Sequence, residues 1–221
     1  MFIQTGSQSL DALLGGGVRT GMITDVYGES GSGKSQLCFS LCASCTKAGL
    51  NALFIDTAGT FRPERIVEMA GTREALDRIT FVRALNTQDQ LSALERARGS
   101  DARLIIVDTL TSLFSAEYSS GPARHLAVMF HLHDLAIFAI GADCAVVVTN
   151  MVRNVPADIE TGGRSTQREY LGSSVSIYSH VRIKLALEDP SRGRFHAEVV
   201  QPPAGTASFA ITPRGLADME D

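Results

Sequence analysis

Eight consecutive residues, Gly28-Glu29-Ser30-Gly31-Ser32-Gly33-Lys34-Ser35, constrain this chain more than any other stretch. They fit the phosphate-binding pattern G-x-x-x-x-G-K-[ST] at every fixed position. The flanks supply the context that the pattern requires. Met22-Ile23-Thr24-Asp25-Val26-Tyr27 is a short apolar, β-branched run that predicts a strand, and Gln36 to Lys47 is rich in helix formers, with Gly49 as a stop. Between strand and helix, the glycines let backbone N–H groups turn inward around an anion without Cβ clashes. The helix start adds a partial positive charge at the same point. In such a loop the lysine, Lys34, reaches the β- and γ-phosphates of a nucleotide, and the Ser35 hydroxyl ligates Mg²⁺. Gly28 to Gln36 is therefore the candidate nucleotide-binding segment.

A chain of 221 residues suffices for one large α/β domain. No apolar run approaches the ~20 residues that span a bilayer. The N-terminus, Met1-Phe2-Ile3-Gln4-Thr5-Gly6, has no basic region followed by an apolar core, so a cytoplasmic protein without a signal peptide or membrane partner is expected. The net charge of −4 argues against indiscriminate attraction to nucleic acid. Arginines outnumber lysines 17 to 3, and arginine suits bidentate contacts to phosphate and carboxylate.

Cys38, Cys42 and Cys45 have a spacing that also occurs in iron–sulfur loops, but here it falls within the helix after the phosphate loop. At about 100° per residue the three share one stripe, and a core stripe is the expectation. His131 and His133 lie about 200° apart on a helix and cannot share a metal.

Taken in order, the chain alternates strands and helices. A short helix capped by Ser7 or Ser9 runs to Leu14 and is stopped by Gly15 to Gly17. Strands are expected at 52–56, 79–82, 103–108 and 145–150, and helices at 63–70, 87–98 and 122–140. That alternation predicts a mostly parallel sheet covered by helices on both faces. Residues 153–171 are polar without a clear period and read as a long loop, and 181–187, 195–200 and 208–211 read as antiparallel closing strands. No linker or repeat divides residues 1–221, so a single domain is expected.

Asp108 closes the apolar run Leu104-Ile105-Ile106-Val107, where ligands of open α/β sheets bind, and is expected to hold Mg²⁺ through water. Several segments now converge on one family. Thr5-Gly6-Ser7…Leu10-Asp11…Leu14…Gly16-Gly17…Gly21, the phosphate loop, and Ile55-Asp56-Thr57…Gly59-Thr60-Phe61-Arg62-Pro63-Glu64-Arg65 resemble the RecA/RadA recombinase core. So do Leu104 to Asp108, Val148-Thr149-Asn150, Tyr178 to Arg182 and Phe209-Ala210-Ile211. The resemblance covers nearly the whole chain. It implies a RecA-like P-loop NTPase core with a C-terminal antiparallel extension, ATP and Mg²⁺ as cofactors, and Arg65 against the adenine ring. Read from the residues alone, a helix-surface Arg65 that pairs with Glu68 or Glu64 is an equal alternative.

The resemblance begins where the family's ATPase core begins, so neither an N-terminal DNA-binding domain nor an upstream Phe-x-x-Ala linker for polymerisation is expected. The chain is therefore most similar to the short archaeal RadB-type paralogues. Two positions depart from the family. Ala58 stands where the family has the glutamate that polarises the attacking water, and Met151 stands at the glutamine that senses the γ-phosphate. A water-positioning group is worth roughly 10²–10⁴ in rate, and a thioether is a poor hydrogen-bond partner.

The resemblance thus implies ATP binding with weak or absent hydrolysis in an accessory of homologous recombination. The expected partner is a full-length recombinase, another paralogue, or a second copy across the nucleotide. An active DNA-dependent ATPase with strand exchange and a KaiC-like signalling ATPase are the alternatives. Weak single-stranded DNA contact would fall to Arg124 in a first loop and to Arg153, Arg164 and Arg168 in a second. The acidic residues Asp158, Glu160 and Glu169 offset the charge of the second loop.

Overall fold

The computed structural model describes residues 1–98, 100–155 and 166–219. Strands β1 (Phe2–Ile3) and β2 (Val18–Arg19) pair antiparallel on either side of helix α1 (Gln8–Leu13) in the chain. Of the two candidate caps, Ser7 caps α1 by accepting from the Leu10 N–H. The core then runs through β3 (Ile23–Gly28), α2 (Lys34–Lys47), β4 (Asn51–Asp56), α3 (Pro63–Ala70), β5 (Ile79–Arg83) and α4 (Thr87–Arg98). It continues with β6 (Ala102–Asp108), α5 (Ser112–Glu117), α6 (Gly121–Ala142) and β7 (Ala145–Val155). After these come β8 (Thr166–Glu169), α7 (Gly172–Tyr178), β9 (Val181–Asp189), β10 (Arg194–Gln201), β11 (Pro203–Thr212) and β12 (Gly215–Asp218).

Among the described residues, β9-β3-β7-β6-β4-β5 pair in parallel, and β10, β11 and β12 extend the β9 edge antiparallel. The mostly parallel sheet with an antiparallel extension is the architecture expected. The central strands are apolar without alternation because both faces are covered. On β6, Leu104 and Ile106 pack into the core under α2, while Ile105 and Val107 pack with Leu94 of α4, Phe114 of α5 and Leu132 of α6. Helix α2 is buried on nearly every side, including Cys38, Cys42 and Cys45, which lie in the core as expected. Burial pushes the Cys45 thiol up to about 12, so it behaves as an inert hydrophobe.

Three expectations need correction. The segment read as a loop over 153–171 is partly a ladder. Strand β7 continues to Val155, and β8 returns along it with Val152 paired to Glu169 and Val155 to Thr166. Ladder bonds are backbone bonds, so polar side chains do not prevent them. Next, β9 is antiparallel to β10 but parallel to β3, with Gly28 opposite Leu185. Helix α7 carries the chain back to the start of β3, where the His180 N–H donates to Ile23 O, and β9 sets out from there. Finally, α6 has 22 residues and a hydropathy of 1.4, long and apolar enough by those measures to cross a bilayer. Arg124, Asp134 and three histidines interrupt the run without much lowering its mean. Its inward face, with Val128, Leu132 and Leu135, is built into the core.

Candidate functional site

A cleft of about 650 Å³ opens beyond the carboxyl ends of β3, β4 and β6. Its floor is the loop from β3 to α2. Gly31 and Gly33 take φ of 81° and 95°, which turns the backbone N–H groups inward where a side chain would be strained. A Cβ on Gly28 would lie 2.2 Å from Leu185 O, so β3 and β9 approach closely only with glycine there. Lys34 Nζ donates to Gly28 O (2.9 Å) and Glu29 O (2.7 Å), which keeps the ammonium over the loop. Burial pushes the Lys34 pKa below the ordinary lysine value, and the Asp108 charge opposes that shift.

Asp108 and Ser35 meet in the cleft. The Ser35 hydroxyl donates to Asp108 Oδ2 at 2.7 Å, and Thr60 Oγ1 donates to the same oxygen at 3.1 Å. Thr149 Oγ1 donates to Oδ1. A buried carboxylate beside a serine hydroxyl is a hard-oxygen pair suited to a divalent cation such as Mg²⁺. The amide-lined loop, Lys34 and this pair together fit Mg·ATP. Among the described residues no cluster of His, Cys, Asp and Glu points to any further metal.

The turn after β4 faces the same cleft with a methyl group. Ala58 and Met151 both line it. Asp56, at the end of β4, is turned away from it. Asp56 Oδ1 accepts from the N–H groups of Ala58 (3.0 Å), Gly59 (2.7 Å) and Thr60 (3.3 Å), and Oδ2 accepts from Phe61 N–H (3.2 Å). Arg83 completes its surroundings at 3.0 Å. Glu64 is exposed and does not line the cleft. Among the described lining residues, Asp108 is thus the sole carboxylate.

The far wall combines helix α3 with the late strands. Arg65 donates to Gln36 Oε1 (3.3 and 3.2 Å) and to Thr212 O (2.9 Å). It also pairs with Glu68. Of the two sequence readings for Arg65, the pairing with Glu68 on its own helix is observed, and the side chain also lines the cleft. Phe195 of β10 and Ile211 of β11 lie against the loop, and a Cβ on Gly33 would meet Ile211 Cδ1 at 3.1 Å. Phe195 stacks on Phe209 with ring centroids 5.7 Å apart, which supplies a flat apolar surface beside Arg65.

Of the basic residues expected in the two loops, Arg124 and Arg153 meet at Tyr170 and Arg168 lies apart. Arg124 Nη1 donates to Tyr170 Oη at 2.6 Å, and its Nε donates to Tyr118 O at 2.9 Å. Arg153 also lies over the Tyr170 ring, 5.6 Å from its centroid. Tyr170 N–H donates to Met151 O at 2.9 Å, which joins this cluster to the cleft wall. Arg168 is exposed and lines a smaller recess with Lys184 and Arg182. Arg164 lies outside the described residues. Behind the ladder, Arg182 bridges two buried carboxylates, Asp25 at 3.2 Å and Glu169. Burial and then the Glu169 charge hold the Asp25 carboxyl well above the usual carboxylate range.

Residues 1–219 match the Rad51 family model. The chain belongs to the Rad51 family. RadA of Metallosphaera sedula, described as a DNA repair and recombination protein, is 35% identical over 247 aligned positions, covering 99% of this chain and 73% of that protein. Membership of the Rad51 family gives the chain a role in DNA recombination and repair. Proteins of the Rad51 family bind ATP with Mg²⁺, act with DNA and self-associate.

Sequence reasoning missed Phe195 and Ile211 as lining residues of the cleft. Both read as ordinary strand residues far along the chain. Tyr170 was visible in the sequence, as one of two tyrosines near the loop arginines.

Proposed function

We propose that this Rad51-family chain is an accessory paralogue of homologous recombination, of the short RadB type, that binds Mg·ATP and hydrolyses it slowly. One observation carries the reading. The cleft has every group needed to hold a triphosphate, yet the turn facing it offers Ala58, and the carboxylate beneath that turn, Asp56, is committed to four backbone N–H groups and Arg83. A carboxylate bound in this way has no lone pair positioned to orient a water in the cleft.

In this reading the N–H groups of Gly31 to Ser35 and Lys34 hold the phosphates. Ser35 and Asp108 would hold the cation, Asp108 through water, and Phe195, Ile211 and Arg65 would hold the base. Bound Mg²⁺ supplies charge neutralisation of the phosphate oxygens. Nucleotide acts as a conformational ligand, favouring whichever state it binds more tightly. Met151 shares its strand with Arg153, and its carbonyl holds Tyr170, so the cleft wall and the Arg124–Tyr170–Arg153 cluster move as a unit. That cluster supports weak contact with single-stranded DNA, one aromatic platform with two guanidinium groups near it. The chain docks on a full-length recombinase or another paralogue, or pairs with itself across the nucleotide.

Steady-state ATPase measurements with and without single-stranded DNA test the reading, alongside equilibrium binding of a fluorescent ATP analogue. Tight binding with slow, DNA-insensitive turnover is expected. Ala58→Glu should raise turnover by roughly 10²-fold, the lower end for a water-positioning group. Brisk, DNA-stimulated hydrolysis by the unaltered chain defeats it.

A further inference from the structure

Helix α6 is built into the core by one side only. Its other side carries Leu126, Phe130, Ile137 and Ile140, which are 53%, 61%, 58% and 68% exposed. With His133 between them, these positions step by 4, 3, 4 and 3 residues, the spacing of a seam on which a second helix packs. Helix α7 lies alongside, held by a His125–Ser174 hydrogen bond and an edge contact of His133 on Tyr178, and it adds Ile177 to the patch. Single exposed leucines are ordinary, but a continuous stripe along four helical turns is not. Five large side chains at half to two-thirds exposure amount to roughly 500 Å² on one copy and about 1,000 Å² across a symmetric pair, the lower bound for a specific interface.

We propose that this stripe is the two-fold interface of a homodimer, in which α6 packs antiparallel against α6 of a second copy. Charge selects that occupant and that direction. The titratable side chains on the stripe are His133 and Asp134, adjacent at its midpoint. An antiparallel pair with its two-fold between them sets His133 of each copy against Asp134 of the other. The same register brings Phe130 against Ile137 and sets Leu126 opposite Gly141, one residue from Ile140. A parallel pair would stack His133 on His133 and Asp134 on Asp134, which is unfavourable for the carboxylates. Ala127, Ala136 and Gly141 border the seam and let the two backbones approach. A bilayer surface fits less well. Helices that lie in the interface carry Lys and Arg beside the apolar face. Arg124, the only Lys or Arg in α6, is turned to Tyr118 O and Tyr170. The stripe shares no residue with the nucleotide cleft, so this interface stands or falls apart from the nucleotide reading.

Sedimentation equilibrium of the full chain tests the proposal. A dimer is expected at micromolar concentration, and Phe130→Glu should weaken it at least 100-fold while leaving binding of the fluorescent ATP analogue unchanged. His133→Asp should weaken it about tenfold by gathering four acidic side chains at the two-fold. Adding Asp134→His to that variant should restore the wild-type affinity. A wild-type chain that stays monomeric at 100 µM overturns the proposal. So does a dimer indifferent to both Phe130→Glu and His133→Asp, or a chain that floats with anionic vesicles through these residues.

Discussion

Acid should weaken this fold through a single imidazole. His131 sits on the inward face of α6, fully buried, with its ring 5.9 Å from that of Phe114, and its Nε2 has no hydrogen-bond partner among the described residues. Burial lowers its pKa from the ordinary value of 6.5 to about 4, because the charged form cannot be solvated there. The folded state therefore holds this group neutral, while the unfolded chain takes up a proton below pH 6.5. Stability is complete above the unfolded value and is lost as pH falls through the window between the two. Between neutrality and pH 5 the difference amounts to about 2 kcal/mol, and by pH 4 to about 3 kcal/mol. Other groups titrate over the same range, so the informative quantity is a difference. Urea unfolding of the wild type and of His131→Phe, each at pH 7.5 and pH 5, isolates the imidazole. The phenyl ring keeps the contact with Phe114 and removes the proton. The wild type should lose about 2 kcal/mol more than the variant on acidification. Equal losses would refute the argument, since they would mean that His131 is solvated or partnered when charged.

Two further outcomes follow from contacts described above. Lys34→Ala removes the ammonium held over the phosphate loop and should weaken binding of the ATP analogue by about 1.5–3 kcal/mol, roughly 10- to 150-fold, in a fluorescence titration. Arg182→Met leaves Asp25 and Glu169 buried with no cation between them and should cost about 3–5 kcal/mol in chemical denaturation, with part of the loss recovered by adding Asp25→Asn.

Local chemistry made half of the cleft legible. The phosphate loop needs glycines at positive φ between a strand and a helix, and that requirement is written in eight adjacent letters. Asp108 was equally visible, as a carboxylate ending a run of buried aliphatic residues. Phe195 and Ile211 were not, because their role comes from strand order. Only when β9 pairs with β3 do β10 and β11 come beside the loop, and nothing within β10 or β11 encodes that register. Strand β8 was hidden for a related reason: Thr166-Gln167-Arg168-Glu169 has no apolar alternation, and its pairing rests on backbone groups. The outward stripe of α6 was masked by the inward one, since a helix apolar on two sides shows no single period. The resemblance to the recombinase core named the family correctly from motifs spread over most of the chain.

The turn that follows β4 takes its shape from the carboxylate beneath it, which gathers its amides like spokes on a hub. Position 58 contributes one of those amides but no side-chain support. Chemistry at that position is therefore detachable from architecture: a side chain can be exchanged there without reshaping the chain around it. In the function proposed above, one codon there would set turnover while the backbone of the turn stayed as it was.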